Sequence, residues 1–468
     1  MSAEHARVVE HWTPARRAAA IPRDLYIDAR GQGYLRQADG SLAPYGRQVA
    51  DSAGSITPNA KPGGGGDTTP PSIGSMDPGN GATIGASYVL NATVTDTSGL
   101  RSVKFYVRKG TDTAQSFTAS NSGNNVWTVS LSGFTDGTDW NWWVVATDKA
   151  NNSSTSNTVS FTVATGSGGG GGGGGTDVVA NDPWAFDGEV QSAAGRIYFE
   201  MPSNARRTRW AGYVCSGTVV DDGIGGRSII ITAAHCVYDD ANKAFARKVL
   251  FIPDQDGTSG SGTDLNCGND PYGCWTPSFG VVDNDWTTRT FPNNVAWDYA
   301  YYVVADSGAH QQPSGGGVND ALDQAVASLP ISFAAPSHDL TANGRSAADY
   351  TYALGYSYSD DPNFMYCAEN MDTESAVNWW LPTCGLSGGS SGGPWLQGMT
   401  YQGNGDPSGS GDIMSVNSWG YTDQPGMAGP KLSGTSAQCM FTGDAKPTPL
   451  TGVVPTTDGD AGVKSACN

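Results

Sequence analysis

GLSGGSSGGPW, Gly385–Trp395, stands in a chain of 468 residues that carries 64 glycines, and its reading decides what the C-terminal half folds into. As a spacer the stretch is flexible and its residues are interchangeable. As a reactive loop it holds one of Ser387, Ser390 and Ser391 in a single geometry, with partners supplied from elsewhere. The comparison segments are Gly63–Gly66 and Gly168–Gly175, which are uninterrupted glycine. Such runs bury too little surface to offset their ordering entropy and read as tethers. They divide the chain into a leader or pro-segment (1–62), a linker (63–67), a middle piece (68–165), a second linker (166–175) and a C-terminal piece (176–468).

Charge and cysteine content narrow the function classes. A formal charge of -19 and a pI near 4.5 oppose binding to nucleic acid or anionic membranes. No apolar run reaches the roughly 20 residues of a membrane-spanning helix, so no membrane insertion is expected. The first 50 residues are mildly basic, with seven Arg against five acids, which marks them as a separate segment. The start, MSAEHARVVEHWTPARR, has no apolar signal core, and an export signal removed or replaced by Met1 is the expectation. Export is argued by eight cysteines, all in the C-terminal piece: Cys215, Cys236, Cys267, Cys274, Cys367, Cys384, Cys439 and Cys467. No CxxC pair suggests zinc, so a disulfide framework is the better reading. Counting leaves many pairings open; sequential pairing, beginning with Cys215–Cys236, is the expectation.

Alternation and turn residues give the elements. In the leader, RDLYIDARGQGYLRQADGSLAPYG reads as short hairpins turning at RGQG and ADGS. In the middle piece, YVLNATVTD, RSVKFYVRKG, NVWTVSLSG, WNWWVVATDKANN and NTVSFTV alternate apolar with polar, the pattern of a β-sandwich. Trp140, Trp142 and Trp143 read either as a platform for a matrix or surface ligand or as ordinary core and surface packing. The C-terminal piece consists of short β-branched and aromatic runs between Gly, Asp and Asn turns, an all-β signal. Its best helix candidate is the short GVNDALDQAVASLP.

The partners that Gly385–Trp395 needs lie in two of those runs. SIIITAAHC ends a strand at His235, beside Cys236. Asp298 sits in NNVAWDYAYYVV, where Trp297, Tyr299, Tyr301 and Tyr302 would shield a carboxylate. A serine hydroxyl needs an adjacent base, and that base needs a third group to fix its tautomer. The glycines around Ser391 let backbone N–H groups turn inward toward a developing oxyanion.

TAAHC, AWDYA and GGSSGGP, in that chain order, resemble the chymotrypsin-fold (trypsin-like) serine peptidases over most of 190–445. The resemblance implies a double six-stranded β-barrel with His235 as general base, Asp298 as its orienter and Ser391 as nucleophile. It implies an oxyanion hole from the N–H groups of Gly389 and Ser391. Ser418, Trp419 and Gly420 resemble the family's substrate-pairing edge strand, and Gly426 resembles its pocket wall. The middle piece resembles a bacterial immunoglobulin-like module through DTTPPSIGSMDPGNGATI, TVTDTSGLRSVKFYV and VVATDKANNSSTSNTVSFTV. Departures bear on specificity and activation. Ser390 replaces the Asp that pairs with a new N-terminus in digestive members, which brings the chain nearer to bacterial glutamyl-endopeptidase-like enzymes. Gly385 replaces the acid of Lys/Arg-cleaving members, leaving Asp412 and Asp423 as substitutes. Asn417 replaces the His of glutamyl-specific ones. An uncharged, bulky apolar preference is the expectation.

Asp254, Asp256 and Asp264 in PDQDGTSGSGTD are spaced like calcium ligands but lack the full EF-hand pattern, so a solvated acidic turn is preferred and no cofactor is expected. NARRTRW reads as an exposed hairpin tip. Together these readings describe a secreted, monomeric bacterial serine endopeptidase acting on polypeptides through an acyl-enzyme. An inactive adhesion or matrix-binding protein and a simple esterase are the alternatives.

Overall fold

The computed structural model describes residues 3–467 apart from 29, 38, 48–68, 80–82, 85–86, 97–98, 124–125, 133, 136, 164–177, 262–263, 337–349, 358–359, 361, 403–405, 409–410 and 451–461. Both glycine linkers lie outside the described residues. The chain forms two compact units, Ala50–Gly170 and a second made of Met1–Val49 with Gly171–Asn468. The leader is thus part of the C-terminal unit.

The smaller unit is built from two sheets. One runs Ser120–Gly123, Val126–Ser132, Ser87–Thr95, Ser72–Asp77; the other runs Thr83–Ile84, Val159–Val163, Gly137–Asp148, Leu100–Lys109, Gln115–Thr118. Period-two alternation puts Leu90, Ala92 and Val94 of the first against Val103, Phe105, Trp142 and Val144 of the second, in one shared core. Trp142 belongs to that core and donates its indole N–H to the Pro78 carbonyl at 3.0 Å. Trp140 packs on Phe134 and Phe161, and Trp143 stacks on Tyr106. The three tryptophans therefore share no single face.

The larger unit is also mostly β. A ten-stranded sheet runs His310–Gln311, Cys274–Trp275, Arg247–Pro253, Ala194–Pro202, Trp210–Val220, Arg227–Thr232, Ala300–Ala305, Phe279–Asp283, Val463–Ser465, with Ile21–Pro22 beside Trp210–Val220. Its central strands are buried on both faces, which is why Ile229, Ile230 and Ile231 follow one another without alternation. A five-stranded sheet runs Val179–Pro183, Met365–Asn370, Tyr350–Gly355, Pro394–Gln397, Asp412–Val416. A seven-stranded sheet runs Asp372–Thr373, Asn378–Leu381, Met427–Pro430, Trp419–Tyr421 and then the leader's Leu25–Ile27, Gly33–Arg36 and Leu42–Pro44. The leader hairpins turn where RGQG and ADGS lie, and Leu25, Ile27, Leu35 and Tyr45 enter the core of the larger unit. Ala3–His11 and Pro14–Ala19, which carry no helical reading above, are helices. The helix candidate near 320 shortens to the single turn Leu322–Ala325.

Four disulfides join Cys215–Cys236, Cys267–Cys274, Cys367–Cys384 and Cys439–Cys467, the sequential set. NARRTRW is the turn between the antiparallel strands Ala194–Pro202 and Trp210–Val220.

Candidate active site

Strand Arg227–Thr232 leads into a single turn of 3-10 helix, Ala234–Cys236, and this turn presents His235. The Cys215–Cys236 bond ties that turn to the neighbouring strand Trp210–Val220. The same bond leaves neither sulfur as a thiolate, although both lie beside the imidazole. Asp298 follows another 3-10 turn, Val295–Trp297, at the entry to strand Ala300–Ala305.

These two turns bring imidazole and carboxylate together. His235 Nδ1 lies 2.7 Å from Asp298 Oδ2, and the His235 backbone N–H donates to Asp298 Oδ1 at 2.8 Å. Both residues are fully buried. A carboxylate on Nδ1 places the proton there and leaves Nε2 with its lone pair. Nε2 is buried and has no hydrogen-bond partner among the described residues. A third bond reaches Asp298 from the Ser418 hydroxyl. Ser418, expected on the substrate strand, therefore also orients the carboxylate.

The serine loop is held from both sides. The Ser391 carbonyl accepts the Ser216 N–H at 2.7 Å, and the Ser216 hydroxyl donates to the Gly389 carbonyl at 2.9 Å. On the other side, the Gly392 N–H donates to the Asn417 carbonyl at 2.7 Å. Gly392 has φ +83°, and a Cβ there would lie 2.1 Å from Thr232 Oγ1 and 2.4 Å from the Ser216 carbonyl oxygen. The glycine is required by both backbone conformation and space. Ser391 lines a cleft with Leu386, Ser387, Gly388, Ser390, Ser418, Trp419, Gly420, Gly426 and Met427. Gly426, at φ +119°, leaves room for the Trp380 ring, 2.3 Å from where its Cβ would stand.

Two residues read from the sequence as pocket determinants lie elsewhere. Asn417 is fully buried behind the loop: its amide donates to the carbonyls of Leu354 and Ser390, and its carbonyl accepts the Trp395 indole N–H. Its side-chain hydrogen-bonding groups are spent on positioning the loop, not on substrate. Gly385 is exposed, with its N–H on the Ala180 carbonyl, outside the cleft lining. Asp412 and Asp423 are exposed and also outside that lining. The acids Asp254, Asp256 and Asp264 do not converge on a common point among the described residues. Asp254 instead accepts from Gln191, and burial pushes its carboxyl and that of Asp256 up.

The residues that sequence reasoning missed are in the leader. Asp24, Leu25 and Tyr26 line the same cleft. Asp24 Oδ1 accepts the Gly389 N–H at 3.1 Å, and its other oxygen meets Arg36 Nε at 3.1 Å. Burial pushes the Asp24 carboxyl up, against the pull of Arg36 and of the Gly389 amide. No local sequence signal marks Asp24, since its partners are supplied by the fold.

No family model and no curated protein matches the chain. Among solved structures, an engineered protein is 19% identical over 20% of this chain and 20% of its own, with a TM-score of 0.18. Dimeric latent PorU from Porphyromonas gingivalis is 17% identical over 32% of this chain and 16% of its own, at 0.20. A cycloalternan-degrading enzyme from Trueperella pyogenes is 13% identical over 50% of this chain and 30% of its own, at 0.18. The chain thus spans less than a third of each of these proteins, and similarity at this level carries no argument about function.

Proposed function

We propose that the chain is a serine endopeptidase of the chymotrypsin-fold type, with its larger unit built on a double six-stranded barrel and its smaller unit an immunoglobulin-like module. The observation that carries this reading is the buried pair His235–Asp298, 2.7 Å apart, beside a cleft lined by Ser391. His235 Nε2 takes the proton of the Ser391 hydroxyl as its oxygen attacks the scissile carbonyl, and Asp298 stabilises the imidazolium. The Gly389 and Ser391 N–H groups receive the oxyanion. The acyl-enzyme forms as His235 passes the proton to the leaving amine, and water attacking with the same base releases the acid. Apart from the leader's Asp24, the described residues lining the cleft carry no charged side chain, which supports an uncharged, apolar residue at the cleavage site. Four disulfides support a secreted protein.

The test is labelling by a fluorophosphonate, followed by digestion of a peptide library, on protein freed of its leader. An active enzyme is labelled and cleaves peptides, and Ser391→Ala lowers turnover by about a million-fold. Hydrolysis of simple esters without peptide cleavage would favour the esterase. Folded, leader-free protein inert to probe and library alike would leave the adhesion protein standing.

A further inference from the structure

The seven-stranded sheet ends in strands that belong to the leader, and the junction lies in the cleft. Leu25–Ile27 pairs with Trp419–Tyr421, Leu25 opposite Trp419 and Tyr26 opposite Gly420, and the strands run parallel. The Thr422 N–H continues the ladder onto the Ile27 carbonyl at 3.1 Å. Those are the backbone groups that a substrate strand would need. Two residues before Leu25, Arg23 is fully buried. Its Nε donates to the His235 carbonyl at 2.7 Å and its Nη2 to Asp239 Oδ2 at 3.0 Å. Next in sequence, the Asp24 carboxylate occupies the Gly389 amide, so closely that a Cβ on Gly388 would lie 1.9 Å from Asp24 Oδ2.

The group on that amide is a side-chain carboxylate, not the carbonyl of a peptide bond. A carboxylate carbon is a poor electrophile, and expelling an oxide from it offers Ser391 no productive leaving group. A substrate carbonyl cannot reach the same N–H while Asp24 holds it.

We infer that the cleft is a docking site for the chain's own residues 20–47, which hold the enzyme shut through Arg23 and Asp24 and, once released, bind the cleft again in trans. This rests on the peptidase reading, and the following experiment separates the two. A specific cleavage site is placed in the Gly63–Gly66 run of the full chain. Fluorophosphonate labelling is followed before cutting, after cutting and washing, and after adding back a peptide of residues 20–47. Anisotropy of a dye on that peptide reads binding independently of Ser391 chemistry. The expected result is slow labelling of the uncut chain, a rise of about thirtyfold on release, and suppression by the peptide but not by its Arg23→Ala/Asp24→Ala form. The uncut Asp24→Ala chain, checked for an unchanged thermal transition, should also label faster, which guards against misfolding of the leaderless unit. Equal labelling before and after release, or a peptide that neither binds nor slows a reactive enzyme, overturns the docking. Peptide binding without labelling in any form overturns the peptidase reading, and the inhibition with it.

Discussion

Asp298 shows how much one carboxylate is asked to do. It accepts the His235 backbone N–H, the imidazole Nδ1 and the Ser418 hydroxyl while fully buried. On the proposed mechanism, Asp298→Asn keeps the shape but favours the wrong tautomer, and kcat should fall by about 10^4-fold in a peptide-hydrolysis assay. Ser418→Ala should cost less, since the two His235 contacts remain. Gly392→Ala tests the loop itself. It forces an L side chain to φ +83° and into Thr232, so the thermal transition should fall by the equivalent of about 1–3 kcal/mol or more, with labelling of Ser391 lost. Asp222 carries a pH effect. Burial raises its carboxyl to about 6 despite the Ile224 N–H it accepts. The folded state therefore holds this proton more tightly than the unfolded chain. The stability it contributes is full below the ordinary carboxylate range and is lost as pH rises through about 6. Asp222→Asn should flatten the melting temperature between about pH 4 and 6.

At the scale of elements, the disulfide Cys215–Cys236 closes a loop of 21 residues around the turn that carries His235. Replacing both cysteines by alanine should lower stability by about 3 kcal/mol in denaturant titrations. The strand Trp419–Tyr421 is the other decisive element. It pairs with Met427–Pro430 on one side and with the leader on the other. An open strand edge is a template for any extended peptide, and here the nearest peptide is the chain's own. The leader hairpins were legible because turn residues interrupt alternating runs. Their destination was not, because Asp24 and Gly389 stand 365 residues apart and neither has a local reason to meet the other.

For the molecule as a whole, the two units have separate cores. Residues 69–163 expressed alone should therefore unfold in a single cooperative transition, observable by tryptophan fluorescence because Trp142 is fully buried. Deleting the first 47 residues should instead destabilise the larger unit, since it strips Leu25, Ile27, Leu35 and Tyr45 from the core and leaves Asp239 without its guanidinium partner. The deletion variant should melt at lower temperature than the full chain.

By itself the sequence determined the strand-rich class and singled out His235, Asp298 and Ser391 as candidates, because alternation and glycine-flanked motifs are local properties of the chain; the cysteine count pointed to disulfides, and the fold chose among their pairings. It also separated Gly385–Trp395 from the plain glycine runs. Only the tertiary structure decided which groups face the cleft. It turned Asn417 and Gly385 away, gave Ser418 to Asp298 and laid the leader's Arg23 and Asp24 against the His235 turn and the serine loop. Those outcomes depend on which distant strands pair and which buried polar groups find partners, and hydrogen bonds across hundreds of residues leave no periodic trace in the sequence.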